Sequence, residues 1–256
     1  MNEVQRPSTL LFATDIGRGL IGLANYFASI PIFNMAAKGD GHPVLVLPGF
    51  GATDVSTHPL RYFLKKQNFT PYAWELGRNL GGVDFLEDII VRVQEIAHQH
   101  GQKISLVGWS LGGVFAREVA RRHPGIVRQV ITLGSPFQHV GHGNNIKWIY
   151  EFVTQNEIEG IDPQLIEDMK YPPPVPSTAI YTKGDGIVSW KCCIEMIEDH
   201  QTQNVEVSGS HCGLGHNPVA LFCIADRLSQ RDGYWRKFKP SFLQQQLHRD
   251  LKLHIG

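Results

Sequence analysis

The 256-residue chain has no excess of charge: 24 Lys and Arg face 24 Asp and Glu. That balance leaves no net field to collect nucleic acid or an acidic surface. The one cluster of aromatics among cations is Tyr234, Trp235 and Phe238 beside Arg236, Lys237 and Lys239, and it reads as a solvated surface segment. Cysteine is sparse, with four residues and no Cys-x-x-Cys, which argues against a structural zinc site. His139 and His142 form a His-x-x-His pair without a third ligand in view, so no metal is expected. Gly-x-Gly-x-x-Gly is absent and no Lys-Ser/Thr follows the glycines at 49–51, which disfavours nucleotide binding. Internal repeats and low-complexity tracts are missing. So is a long uninterrupted apolar run: Gly19 to Phe33 is broken by Asn25 and Pro31 and is short for a membrane span. Asp15 and Arg18 interrupt the early apolar residues and no cleavage site of the secretory type follows. A cytoplasmic protein is therefore expected, the alternatives being membrane association or export through an atypical N-terminal segment. A weak contact with a lipid interface, through residues 19–33 or through a cap at 137–177, is the sharper reading, and for 19–33 a helix covering part of the domain the plainer one.

What is present is a chain of ordinary globular composition, 42% hydrophobic and 19% charged, long enough for one full core. Short apolar runs alternate with helix-like segments. Strands are read at Pro43–Pro48, Pro71–Leu76, Ile104–Trp109, Val127–Leu133, Thr178–Thr182 and Asn204–Val207, and helices at His58–Phe69, Val83–His100, Leu111–His123 and His216–Leu228. This alternation implies βαβ crossovers and a mostly parallel sheet of about six strands with helices on both faces, an α/β class. Regularity breaks at 137–177. Two helix-like pieces there, Ile146–Asn156 and Asp162–Met169, and the aromatics Phe137 and Trp148 suggest a small helical cap. The expected organisation is one domain over 1–256, with 1–42 a helical extension and 137–177 a lid.

The most informative stretch is Ser105-Leu106-Val107-Gly108-Trp109-Ser110-Leu111-Gly112-Gly113. A buried strand leads into Gly-x-Ser-x-Gly and a helix follows. The pentapeptide alone arises by chance in roughly one chain of this length in ten, so its context decides. The two glycines let a tight turn lie against its neighbours and expose the Ser110 hydroxyl above the sheet. A serine needs a base to take its proton, and the base needs a carboxylate to hold its tautomer. Asp185, in Lys183-Gly184-Asp185-Gly186-Ile187-Val188, follows the fifth strand. Asp162, Asp168 and Asp199 are weaker choices because none directly follows a strand. His211, in Ser208-Gly209-Ser210-His211-Cys212-Gly213, follows the sixth, whereas His216 is placed to cap or pack the closing helix. Oxyanion donors are expected from the backbone N–H of Leu111, just after the serine, and of Phe50 in the Gly49-Phe50-Gly51 turn after the first strand. All these positions fall at strand carboxyl ends, where ligands bind in such sheets.

On the motifs Pro48-Gly49-Phe50-Gly51, Gly108-Trp109-Ser110-Leu111-Gly112-Gly113, Gly184-Asp185-Gly186-Ile187-Val188 and Ser210-His211-Cys212-Gly213-Leu214, the chain resembles the α/β-hydrolase superfamily over about residues 43 to 230. It is most similar to small bacterial serine lipases and carboxylesterases. The resemblance implies a minimal α/β-hydrolase fold, a catalytic set Ser110, Asp185 and His211, an oxyanion hole at Phe50 and Leu111, no cofactor, and hydrolysis of a small-molecule acyl ester or lipid. Pro48 stands where many lipases have His-Gly, and the family's two leading antiparallel strands are missing. Gly49, Trp109, Phe137 and Trp148 are the expected substrate-lining residues. An acyltransferase, thioesterase or amidase could use the same triad. A binding protein on a hydrolase fold is the non-catalytic alternative. A disulfide from Cys193, or Cys192, to Cys212 would tie the acid loop to the base loop. Free thiols are the other reading.

Overall fold

The structure, a computed structural model, describes residues 5–82, 84–138 and 167–240. Elements run in the order α1 (Thr9–Ser29), a 3-10 turn Ile30–Met35, β1 (Pro43–Leu47), α2 (Asp54–Lys66), β2 (Thr70–Ala73), α3 (Asp84–His100), β3 (Ile104–Trp109), α4 (Leu111–Arg122), β4 (Val127–Leu133), β5 (Ser177–Tyr181), a 3-10 turn Trp190–Cys192, β6 (Thr202–Glu206), a 3-10 turn His211–His216 and α5 (Pro218–Leu228). Six strands form one sheet in the order β2-β1-β3-β4-β5-β6. Each of the five pairings is parallel. Parallel strands buried on both faces favour near-continuous apolar residues, as in β1, every residue of which is buried; β4 is equally buried but carries Arg128 and Gln129, which bond to Asp40 and to the Arg227 carbonyl.

Alternation of side chains then divides the core in two. Val44, Val46, Val107, Ile131 and Leu133 face one layer, with Leu60, Phe63 and Leu64 of α2 and Leu221, Phe222 and Ile224 of α5. Leu45, Leu47, Ile104, Leu106 and Val130 face the other, against Leu86, Ile89 and Val93 of α3 and Phe115, Ala116 and Val119 of α4.

Boundaries follow local chemistry. Asn217 Oδ1 accepts the Val219 and Ala220 N–H groups at 2.9 and 3.1 Å and Pro218 fills the first helical position, so α5 opens at 218 rather than at 216. Thr53 caps α2, which therefore begins at Asp54 and carries Pro59 in its interior, four residues before the start expected at His58. The segment 234–239 also differs from a solvated strip. Phe238 is buried and its N–H donates to Gln203 Oε1 at 2.6 Å, while the charged residues beside it stay exposed. Of the expected cap, residues 139–166 lie outside the described residues, and with them Trp148, His139, His142 and the helix-like pieces apart from the last residues of the second.

α1 is inverted relative to an ordinary surface helix. Its inward residues are Asp15, Gly19, Gly22 and Tyr26. Its outward arc is apolar, with Leu10, Ile16 and Leu20 at 74%, 69% and 65% exposure.

Candidate active site

Because the strands are parallel, the residues following β1, β3, β5 and β6 reach one edge of the sheet. Ser110 follows β3 with φ +52° and ψ −122°, a conformation that non-glycine residues hold only where the surroundings enforce it. The enforcement is visible. Ser110 N–H donates to Leu133 O at 2.8 Å. A Cβ on Gly108 would stand 2.3 Å from Gly113 Cα, and one on Gly112 2.5 Å from Leu47 O, so only glycine permits this turn. Ser110 is nearly enclosed, at 4% exposure. Leu111 opens α4, and its N–H belongs to the first turn, which has no carbonyl four residues back to bond.

The loop after β1 lies against the serine: a Cβ on Gly49 would sit 3.2 Å from Ser110 Cβ. That loop is fixed by Asn79, which is wholly buried and which the sequence reading passed over. Its Nδ2 donates to Pro48 O at 2.8 Å, its N–H to Ala52 O at 2.8 Å, and its carbonyl accepts Gly51 N–H at 2.6 Å. The Gly-flanked context Gly77-Arg78-Asn79-Leu80-Gly81 was the available signal. Phe50 thus rides on a loop held from behind.

Asp185 and His211 meet directly: Nδ1 of the imidazole is 2.7 Å from Asp185 Oδ2. The other carboxylate oxygen, Oδ1, accepts the N–H groups of Ile187 and Val188 at 2.9 and 2.7 Å, which fixes its direction. Burial of the imidazole disfavours its charged form, but the Asp185 charge and hydrogen bond outweigh that and Asp15 adds to them, so the His211 pKa lies above the ordinary histidine value. The serine turn and the histidine turn are joined through Trp109, whose indole N–H donates to His211 O at 3.1 Å. Gly134, which follows β4, lies under the pair. A Cβ there would be 3.1 Å from His211 Nδ1 and 3.2 Å from Asp185 Oδ2. Ser110 Oγ is not hydrogen-bonded to the His211 ring among the described contacts, and such bonds often close only when substrate is present.

The other named residues fall as follows. Gly49 touches the serine, and Trp109 packs its ring against Gly215 and His216. Phe137 is fully buried beneath the Arg117 guanidinium, 3.7 Å from the ring centre, so its ring faces the interior. His216 Nε2 engages Gly19 O at 2.9 Å. The expected disulfide is corrected: neither Cys192 nor Cys193 is bridged to Cys212, and Cys223 is likewise in no disulfide. Cys193 points its thiol to Ser189 O at 3.6 Å, buried below the acid loop. The loops bearing Asp185 and His211 are tied instead by Asp15 of α1. One carboxylate oxygen accepts Gly186 N–H at 2.8 Å and His211 N–H at 3.0 Å, and the other accepts Cys212 N–H at 2.9 Å. Among the described residues no group of three or more His, Cys, Asp or Glu could hold a metal ion.

Comparison with known proteins identifies the family and the fold. A family model described as alpha/beta hydrolase fold matches residues 19–158. The serine hydrolase BPHL of mouse is 32% identical over 111 residues, 38% of this chain and 37% of that protein. Human BPHL is 31% identical over 114 residues, 40% and 38% of the respective chains. The match thus spans well under half of these relatives. Among solved structures, Aspergillus fumigatus lipase B superposes with a TM-score of 0.60 at 17% identity, over 81% of this chain and 56% of that one. The monoacylglycerol lipase of Paleococcus ferrophilus gives 0.52 at 15%, over 69% and 88%. At such identities these two establish likeness of fold.

Proposed function

Since the chain belongs to the alpha/beta-hydrolase family, we propose that it is a serine hydrolase that cleaves carboxylic acyl esters through an acyl-enzyme, in the manner of an esterase or lipase. The observation that carries the reading is the 2.7 Å Asp185–His211 pair at the strand-end edge where Ser110 stands on its strained turn. His211 takes the Ser110 proton as Oγ attacks the ester carbonyl. The oxyanion rests against the N–H groups of Leu111 and Phe50. The bond to the alkoxy oxygen breaks as His211 returns the proton to it, and the alcohol leaves. Water, deprotonated by the same imidazole, attacks the acyl-enzyme, and its collapse releases the acid and restores Ser110. Asp185 orients His211 and stabilises its cation. What favours this reading over a non-catalytic protein on the same fold is the strained Ser110 turn at the same sheet edge as the Asp185–His211 pair, since such strain clusters at functional sites.

The test is hydrolysis of p-nitrophenyl esters from acetate to palmitate, with Ser110→Ala in parallel. Turnover that vanishes in the variant supports the reading, and the chain-length optimum separates esterase from lipase. Folded protein inert toward every ester and toward a fluorophosphonate probe overturns it. Probe labelling at Ser110 without ester turnover turns the assignment to acyl transfer, thioester or amide substrates.

We place the lipid-interface contact on α1. The support is its outward apolar arc, with both charged residues of the helix, Asp15 and Arg18, turned to the protein. Thr9–Met35 is also the one described helical segment that passes for a membrane span by length and composition, with 22% of it buried. An in-plane seat is favoured over a span because the inner face is tied to the catalytic loops. Flotation with phosphatidylcholine vesicles checks this: Leu20→Glu with Phe27→Glu should leave the protein unbound, and no flotation of the wild type refutes it.

A further inference from the structure

We propose that Asp15 is a positioning residue for the acid and the base: its carboxylate holds the loops bearing Asp185 and His211 in register across α1. The inference rests on the assignment of those two residues made above.

The carboxylate of Asp15 is entirely buried, and a buried charge must be met by donors. It is met by the N–H groups of Gly186, next to Asp185, of His211 itself, and of Cys212, and by the Arg18 guanidinium at 3.5 Å. Three donors from two loops converge on one group. An ionised carboxylate suits this because it only accepts and has about four lone-pair sites. An amide in its place would turn an NH2 toward at least one of those N–H groups. Arg18, one helical turn on, grips the same loops by their carbonyls. Its Nη1 donates to Gly184 O at 2.8 Å and to Gly209 O at 3.2 Å. Each catalytic loop is therefore held on both polarities of its backbone by one helix. The approach is close enough that a Cβ on Gly19 would come within 2.9 Å of Cys212 Cβ.

Asp15 also acts on the ring it positions. The titratable groups around His211 are Asp185 from the loop after β5, Asp15 and Arg18 from α1, and Cys212 and His216 from its own turn; β3 contributes only the neutral indole of Trp109. Asp15 supports the imidazolium alongside Asp185, which a scaffold contact alone would not do.

Asp15→Asn tests this. The expected result is a folded protein with kcat lowered between about tenfold and a hundredfold, as for displaced catalytic groups, KM little changed, and the acid limb of kcat/KM moved to lower pH. Wild-type kcat with an unmoved limb overturns the proposal, and so does a kcat loss with the limb unmoved, which is what a merely structural contact would give. If Asp15→Asn does not fold, Arg18→Gln replaces it: several-fold lower kcat supports the clamp and wild-type kcat overturns it. If the wild type shows no Ser110-dependent turnover at all, the ester reading has failed, and the clamp is read separately by NMR titration of the His211 ring. A lower ring pKa in Asp15→Asn then upholds it, and an unchanged one refutes it.

Discussion

Gly134→Ala introduces one methyl group at the point where the serine strand's neighbour passes beneath the acid–base pair. Two costs can be worked out separately. The residue has φ +56°, where a Cβ costs about 1–2 kcal/mol. The added carbon would meet Leu214 Cδ1 at 2.8 Å, His211 Nδ1 at 3.1 Å and Asp185 Oδ2 at 3.2 Å. Overpacking of this kind costs about 1–3 kcal/mol in a filled interior. The sum is a loss of about 2–5 kcal/mol, read as a fall in the urea midpoint at unchanged slope. The contacts predict more than instability. Leu214 can yield by rotating a side chain, but the ring and carboxylate are fixed to each other and to backbone N–H groups, so they must shift together. Among the variants that remain folded, kcat should fall about tenfold to a hundredfold. Gly125→Ala is the control, since nothing lies within 4 Å of its Cβ and its φ is not left-handed. A Gly134→Ala protein as stable and as active as the Gly125→Ala one would refute the packing of the pair over Gly134.

Three further outcomes follow from the charged groups. On the proposed mechanism His211 must be neutral to act as base, and Asp185 and Asp15 lift its pKa against the effect of burial, so kcat/KM should rise with a midpoint above about 6.5; Asp185→Asn should lower that midpoint and cut kcat by about three to four orders of magnitude, and a midpoint at or below 6.5 in the wild type contradicts the assignment. The same raised pKa stabilises the fold fully below about 6.5 and that contribution disappears as pH rises through the folded value. His42 has the opposite sign: buried between Asp40 Oδ1 at 2.5 Å and Ser105 Oγ at 2.9 Å, it has a pKa lowered first by burial and then by Arg128. The unfolded chain takes that proton first, so stability falls as pH drops below about 6.5, and urea titrations at stepped pH should show a shallower fall in His42→Gln, with His216 supplying the remainder through its own burial. Glu195 is buried against Arg117, which also donates to Tyr171 O at 2.8 Å; Glu195→Ala should lose about 3–5 kcal/mol by leaving that guanidinium uncompensated, whereas Glu195→Leu with Arg117→Met should recover most of it in the same denaturation assay.

The frame was legible because its signal is local. β1 is a continuous apolar run from Pro43 to Leu47, and β3 and β4 keep their expected ends although Ser105, Arg128, Gln129 and Thr132 interrupt them. A run buried on both faces has no period to misjudge, only ends to locate. The start of α2 was missed because Pro59 reads as a helix opening, while the operative signal was the Thr53 cap ahead of it. The order Ser110, Asp185, His211 after β3, β5 and β6 was readable as a pattern, and the distances between the side chains were not. Asp15 was unreadable for a stronger reason. Hydrophobic periodicity assigns the apolar arc of a helix to the core and the charged residues to water. On α1 that rule inverts around Asp15 and Arg18, because what lies beneath that part of the helix is not an apolar layer but the N–H and C=O groups of two loops, while Tyr26 further along joins the core. Loops cannot satisfy their own backbone as strands do, so the element that covers them has to bring polar groups inward, and its apolar residues are then left on the outside. The expected bond between the Cys212 loop and the Cys193 loop anticipated the need for such a tie. The partner that supplies it is more than 170 residues away in sequence from either loop, a separation at which side-chain type alone carries no register. An apolar stretch interrupted by a single acid and a single base one helical turn apart is therefore better read as covering a functional edge than as a weakened hydrophobic segment.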